Sequence, residues 1–336
     1  MKVIDMHCDT IMKLYHDQRD GKNTELRSSD CNISIEKMEK GDYLCQTFAM
    51  FVYLGGVENA FEICNEMIDV FYNELEKNQD KIKIAYSGSD IEQNLAEGKM
   101  SALLSCEEGA VCNCNLRFLR NLYRLGVRMM TLTWNFENGI GEPNLMIKPG
   151  ENHRTKADTT IPNPKGLTPF GIEMIQEMER LGIIIDVSHL SDGGFWDVYN
   201  HTTKPFIASH SNARGQCNHV RNLTDEMILA LNKRGGVMGI NYASDFLEVP
   251  PEDRTGFMST VDNMVKHAKY VKNLTGSVDC LGLGSDFDGI SQNLEMKDAS
   301  QLSMLENRLR ENGFSEEEIE KIFYKNVLRV FKEVLG

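Results

Sequence analysis

Short, mostly apolar runs alternate along the chain with segments of helical periodicity. The apolar runs are Val3–Met6, Gln46–Tyr53, Ala102–Cys106, Arg128–Thr133, Ile183–Val187, Phe206–Ser209, Gly236–Asn241 and Leu281–Gly284. They are mostly apolar on both faces and bounded by Gly, Pro or polar residues, the pattern of strands buried in a parallel sheet. The helical segments between them carry start and stop signals. Thr168-Pro169 reads as an N-cap followed by Pro at the first helical position, with Ile172, Ile175 and Met178 on one face and a stop at Gly182. Leu116–Leu125 stops at Gly126, and Thr260–Leu274 stops at Gly276. Thr224-Asp225-Glu226 opens a helix with acids placed for its dipole.

Eight such strand–helix units predict an α/β fold, a TIM-type (β/α)8 barrel. The rival is a doubly wound sheet, but no GxGxxG follows an early strand and no P-loop is present. Ile82–Tyr86 reads as an extra strand outside the barrel. Asn135–Lys165 is a long loop rich in Gly, Pro and Asn, of the kind that serves as a lid. Two further helices are expected from Ala299 to Gly336. No linker marks off a second domain, so residues 1–336 read as a single barrel domain, and a length of 336 suits one.

Composition narrows the class. Hydrophobic residues at 41% and charged residues at 26% exclude wholesale disorder and fibrous repeats. The net charge of -14 argues against an electrostatic grip on nucleic acid or on an anionic membrane, while leaving room for a local cationic pocket or a metal site. The opening MKVIDMHCDT has no apolar core of a signal peptide, and the most apolar window, Phe48 to Leu54, is too short to span a bilayer. The nine cysteines are scattered, with Cys112 and Cys114 in a CxC rather than a CxxC. Reduced thiols in a cytoplasmic protein are the expectation, not a structural cysteine–zinc site.

The candidate chemistry lies at the strand ends. The first strand ends in His7-Cys8-Asp9, the third in Glu107-Glu108-Gly109, the fifth in Asp186-Val187-Ser188-His189, the sixth in Ser209-His210-Ser211, and the eighth in Gly284-Ser285-Asp286-Phe287-Asp288-Gly289. In a barrel of this type the C-terminal strand ends converge on one mouth. Taken singly, each residue has an ordinary explanation: a hydrogen-bonded His, a solvated turn at Glu107-Glu108, a turn cap at Asp288. Together, carboxylates and imidazoles crowded into one mouth need a countercharge, and a divalent metal supplies it. The donor set suits zinc, although Mn2+, Co2+ or Fe2+ accept the same ligands, and one carboxylate between two ions fits a two-metal site. The fourth strand ends in Thr131-Leu132-Thr133-Trp134-Asn135, with no Lys to serve as a bridge, which leaves the third-strand glutamate.

These residues, in this order, resemble the membrane (renal) dipeptidase family of amidohydrolase-like metallopeptidases. The resemblance runs from Ile4-Asp5-Met6-His7-Cys8-Asp9 through Leu103-Leu104-Ser105-Cys106-Glu107, Leu119-x-x-x-Tyr123-x-x-Gly126-Val127-Arg128 and Asp186-Val187-Ser188-His189. It continues through Ser209-His210-Ser211-Asn212-Ala213 and Arg221-Asn222 to the Gly284–Gly289 run. It implies that His7 and Asp9 bind one zinc, that His189 and His210 bind the other, and that Glu107 bridges them. Arg221 is implied to lie near the substrate, Asp286 to handle protons, and Tyr242 to match a substrate-contacting tyrosine. The implied activity is hydrolysis of dipeptides, with a D-residue tolerated on the C-terminal side, in a homodimer. A metal-dependent deaminase or other amidohydrolase on the same fold, or a metal-binding homologue without activity, is the alternative; a deaminase more often carries HxH than HxD at the first strand.

The chain departs from the family pattern at three points. The family's Glu-Gly-Gly reads Glu107-Glu108-Gly109; spacing selects Glu107 as the ligand, though Glu108-Gly109-Ala110 imitates the motif one residue later. The His that the family's better-studied members place after the fourth strand, to contact the substrate carbonyl, is Trp134 here. Asn135 can donate a hydrogen bond instead, or His153 of the long loop can swing in, though an ordinary solvated loop His is the simpler account of His153. No secretion signal or anchor site is read, so the expectation of a membrane location does not carry over.

Overall fold

Eight parallel strands close on one another. The computed structural model describes residues 1–147, 159–251 and 253–336. Its strands are β1 (Val3–Cys8), β2 (Tyr43–Phe51), β3 (Ile82–Ile84), β4 (Met100–Glu107), β5 (Val127–Thr131), β6 (Ile184–Asp186), β7 (Ile207–Ala208), β8 (Val237–Ile240) and β9 (Leu281–Leu283). The order β2-β1-β9-β8-β7-β6-β5-β4 closes through the pairing of β2 with β4, giving the (β/α)8 barrel. The expected extra strand is β3. It pairs with Met100–Ala102 of β4, just before the stretch that pairs with β5 from Leu104 onward.

The expected helix ends are present. The Thr168 hydroxyl accepts the Gly171 N–H at 3.0 Å, and Gly182 ends that helix at φ +78°. Thr224 and Thr260 cap theirs in the same way, and Gly276 takes a φ of +76°. The C-terminal extension consists of Ser303–Glu311, then Glu316–Glu320 and Asn326–Leu335 joined through a π turn, Lys321–Lys325. Within Asn135–Lys165 the described residues form no helix or strand. Residues 148–158, including His153, lie outside the described residues.

Strand bounds differ from the sequence pattern for identifiable reasons. β1 continues to Cys8, so His7 lies within the barrel wall rather than beyond it. A register irregularity between Asp5 and Cys8 interrupts the alternation of side chains there. It lets His7 turn to the mouth while Cys8 joins the outer core. β6 and β7 are shorter than expected. The N–H groups of Ser188 and Ser209 both donate to Asp186 Oδ1, at 3.0 and 2.8 Å, so a side chain takes the bonds a ladder would use.

The barrel has one closed end. Val327, Val330, Phe331 and Val334 of the last helix pack against Ile4, Met6, Leu103, Met129, Ile184, Ile207 and Val237. On β9 the matching position is Gly282, where a Cβ would lie 2.9 Å from Val327. Removing a fully buried ring such as that of Phe331 from such a plug costs about 3–5 kcal/mol. Alternation along β4 puts Leu103 on this plug and Glu107, four residues on, at the opposite, open end. The C-terminal strand ends therefore form the mouth.

Candidate metal centre

Six side chains from five strand ends meet in the mouth. Glu107 stands in the middle, and its two oxygens face different groups. Oε1 lies 3.1 Å from His189 Nε2 and 3.5 Å from His210 Nε2. Oε2 lies 3.2 Å from His7 Nε2. On that side His7 Nε2 is also 3.5 Å from Asp9 Oδ2 and 3.9 Å from Asp286 Oδ1. His7, Glu107 and His210, and likewise His7, Asp9 and Asp286, are close enough to share an ion. Neither group contains a cysteine; all nine cysteines are free thiols, and of these Cys114 alone is exposed.

Backbone geometry helps to aim these side chains. His189 and Asp286 adopt φ of +68° and +61°, a left-handed conformation that costs a non-glycine residue about 1–3 kcal/mol. Gly289 clears space beside them, since a Cβ there would lie 2.0 Å from Asp9 Oδ2.

The hydrogen bonds fix the tautomers of two imidazoles. His189 Nδ1 is 2.8 Å from Asn135 Oδ1, an acceptor, so Nδ1 carries the proton. The Ser209 hydroxyl donates to Asp186 Oδ2 at 2.6 Å. It therefore accepts from His210 Nδ1, at 2.7 Å, which places that ring's proton on Nδ1 as well. Both Nε2 atoms then present bare lone pairs, only 3.0 Å apart, beside a carboxylate oxygen. Three acceptors with no proton among them repel unless a cation lies between them. On the other side, His7 Nδ1, His7 Nε2 and Asp9 Oδ1 are buried without a hydrogen-bond partner. The residues present fit divalent metal ions.

Electrostatics point the same way. Burial holds His189 and His210 well below the usual imidazole range, so both are neutral, as ligands must be. Burial disfavours the charged form of His7 too, but Glu107 and Asp9 outweigh it and hold His7 well above its ordinary value. Burial also raises Glu107. Burial, then the charges of Asp9 and Glu107, push Asp286 up to about 8, against the pull of His7. Carboxyls driven toward their neutral forms by burial beside one another are relieved by a cation.

Other expected site residues occupy definite places. Arg221 is buried at the rim, donating through Nη2 to the His210 carbonyl at 3.3 Å, with its Nε unpartnered. Burial lowers its guanidinium to about 10. Asn135, expected to donate to substrate, uses its side-chain oxygen to orient His189, and its amide nitrogen remains the group for that expected contact. Tyr242 is buried with its ring 5.4 Å from that of Phe287, the residue next to Asp286. Glu108 turns away from the mouth. Its carboxylate accepts N–H groups of Ala110, Asn138 and Trp134. Asp288 is a clamp, accepting the Asn32 N–H at 2.7 Å and the Thr10 hydroxyl at 2.6 Å.

Sequence reasoning missed the supporting residues. Asn241 Nδ2 donates to Asp286 Oδ2 at 2.9 Å and leaves Oδ1 toward His7. Asp186 and Ser209 set the His210 tautomer. Their polar character next to the ligand motifs was visible, but their pairing across strands was not.

The fold and this mouth define a (β/α)8 barrel built to hold cations at its strand ends. The membrane dipeptidase family, peptidase family M19, matches residues 1–335, and the chain belongs to that family. It is 36% identical over 255 residues to an uncharacterised protein in the pqqA 5′ region of Klebsiella pneumoniae, covering 76% of this chain and 89% of that one. It is 32% identical over 270 residues to dipeptidase tcpJ of Claviceps purpurea, covering 80% of this chain and 59% of the fungal protein's length. Among solved structures, a metallopeptidase from Rhodobacter sphaeroides, liganded with a phosphinate mimic of the dipeptide L-Ala-D-Ala, is similar at a TM-score of 0.87. The identity is 21%, over 99% of both chains. No helix among the described residues is long and apolar enough to cross a membrane.

Proposed function

We propose that the protein is a binuclear zinc dipeptidase, with the whole chain as one catalytic domain. The observation that carries this reading is Glu107, whose two oxygens face two separate ligand sets. His7 and Asp9 would hold one ion, His189 and His210 would hold the other, and Glu107 would contribute an oxygen to each. The ions, when bound, supply Lewis acidity toward the scissile carbonyl and lower the pKa of a water toward ~7. Asp286 accepts a proton from the attacking water and returns it to the leaving amine as the C–N bond breaks. Asn241 holds the far oxygen of Asp286 and so presents Oδ1 to the water. Arg221, buried with spare donors, pairs with the free carboxylate of the substrate, which favours dipeptides over longer chains.

The mimic bound by the Rhodobacter protein has a D-residue on its C-terminal side, and this supports the same tolerance here. The odd, scattered set of nine cysteines supports a reducing, cytoplasmic setting. The family resemblance also leads us to a homodimer. The deciding experiment is metal analysis together with a dipeptide panel. Protein reconstituted with zinc should carry close to two ions per chain and release free amino acids from L,L- and L,D-dipeptides. A robust value of zero ions, or ammonia release from nucleobases without dipeptide cleavage, overturns the reading.

A further inference from the structure

Two positions where this chain departs from the family pattern touch each other. Glu108 stands where the pattern has Gly, and Trp134 where the better-studied members have His. The buried carboxylate of Glu108 accepts the backbone N–H of Trp134 at 3.1 Å and the side-chain amide of Asn138 at 2.5 Å. The beginning of the long loop is thus tied down from within by a side chain that Gly lacks.

The tied loop presents aromatic surface. Trp134 meets Phe51 edge-on at 5.0 Å and Tyr53 at 5.6 Å, and Phe136 meets Tyr53 at 5.2 Å. All four rings are partly exposed, unlike the fully buried rings of the core. Phe51 pairs in register with Glu107, and the Trp134 ring lies 5.9 Å from that of His189. The wall therefore runs between two residues that face the metals.

We propose that Phe51, Tyr53, Trp134 and Phe136 form a subsite selecting dipeptides whose N-terminal residue carries a large apolar, preferably aromatic, side chain. The inference rests on the dipeptidase reading above. Strand order determines which residue of the dipeptide meets the wall. β2 lies four strands from β7 in either direction around the closed sheet, hence across the mouth. Arg221 bonds to the chain just after β7. A dipeptide with its carboxylate on Arg221 and its peptide bond at the cluster directs its N-terminal side chain toward the aromatic side. There a ring finds edge-to-face partners and leaves water, whereas a methyl group covers little of the wall.

Steady-state kinetics on Phe-Ala, Leu-Ala, Ala-Ala and Ala-Phe test this. The kcat/KM for Phe-Ala should exceed that for Ala-Ala by roughly 10–100-fold, with no comparable gain for Ala-Phe. Trp134→Ala should cut the Phe-Ala to Ala-Ala ratio about tenfold, and Trp134→Phe should restore most of it. Glu108→Gln, which loosens the tie, should lower the ratio in the same direction. A wild-type ratio near one, or a ratio unmoved by Trp134→Ala, overturns the subsite while leaving the dipeptidase reading standing, because Ala-Ala is then still cleaved. Failure to cleave any of the four overturns both.

Discussion

Glu107 and Glu108 are chain neighbours with opposite duties: Glu107 faces three imidazoles, and Glu108 faces three N–H groups. Glu107 is the last residue of β4 and follows the inward face of that strand. Glu108 leaves the strand at φ +97° and its carboxyl swings beneath the next loop. Burial pushes its carboxyl up to about 7.

This contrast gives the first prediction. Glu107→Gln should lose bound metal, because an amide supplies one neutral oxygen where two charged ones faced the ligand sets. Glu108→Gln should retain metal but lose stability, since its new amide group points at N–H donors. The expected cost is about 1–3 kcal/mol. Elemental analysis and denaturant unfolding of both variants check it; metal loss in the Glu108 variant instead would move the bridge by one residue.

Arg221 is buried with an unpaired Nε, and in the proposed reading it receives the substrate's free carboxylate. Arg221→Lys should still lower kcat/KM on dipeptides by roughly 100-fold, because an ammonium cannot reproduce the fork. On a dipeptide amide, which lacks the carboxylate, the loss should be small. Equal losses on both substrates would make the residue structural.

For Asp286 the question is proton transfer against ligation, since it lies within reach of an ion shared with His7 and Asp9. Asp286→Asn should keep its metal and its substrate affinity while kcat falls by ~10²–10⁴. Zinc titration with parallel kinetics separates the two roles: recovery of activity in excess metal would show a ligand rather than a proton carrier.

His267 offers a pH dependence away from the metal centre. Its Nδ1 accepts the Ala213 N–H at 3.1 Å and its Nε2 donates to the Leu247 carbonyl at 3.0 Å. Burial lowers its pKa from 6.5 to about 4, so the native state holds it neutral. The unfolded chain binds the proton first. The stabilisation is therefore complete above pH ~6.5 and is lost as pH falls toward ~4, by an amount on the order of 3 kcal/mol. Denaturant unfolding at pH 7.5 and pH 4.5 should show the wild type losing that much more than His267→Gln; an equal loss in both would place the pH sensitivity elsewhere.

Much of this architecture could be read from the sequence because it is written in local patterns. Buried strands such as Ala102–Cys106 and Leu281–Gly284 are mostly apolar on both faces, and helix ends such as Thr168-Pro169 and Gly182 follow from backbone chemistry within a few residues. Even the convergence of His7, Glu107, His189, His210 and Asp286 follows, since a closed parallel barrel leaves its strand ends nowhere else to go. What only the tertiary structure decided are relations between residues far apart in the chain. The irregularity in β1 turns His7 rather than Cys8 to the mouth, contrary to strand alternation. Asp186 ends two strands at once and, through Ser209, sets the proton of His210. Asn135 serves His189, and Glu108 holds Trp134, across separations of 54 and 26 residues. A hydrogen bond depends on ångström-scale distance and angle between groups, and a sequence states which groups exist but not which of them folding brings within reach.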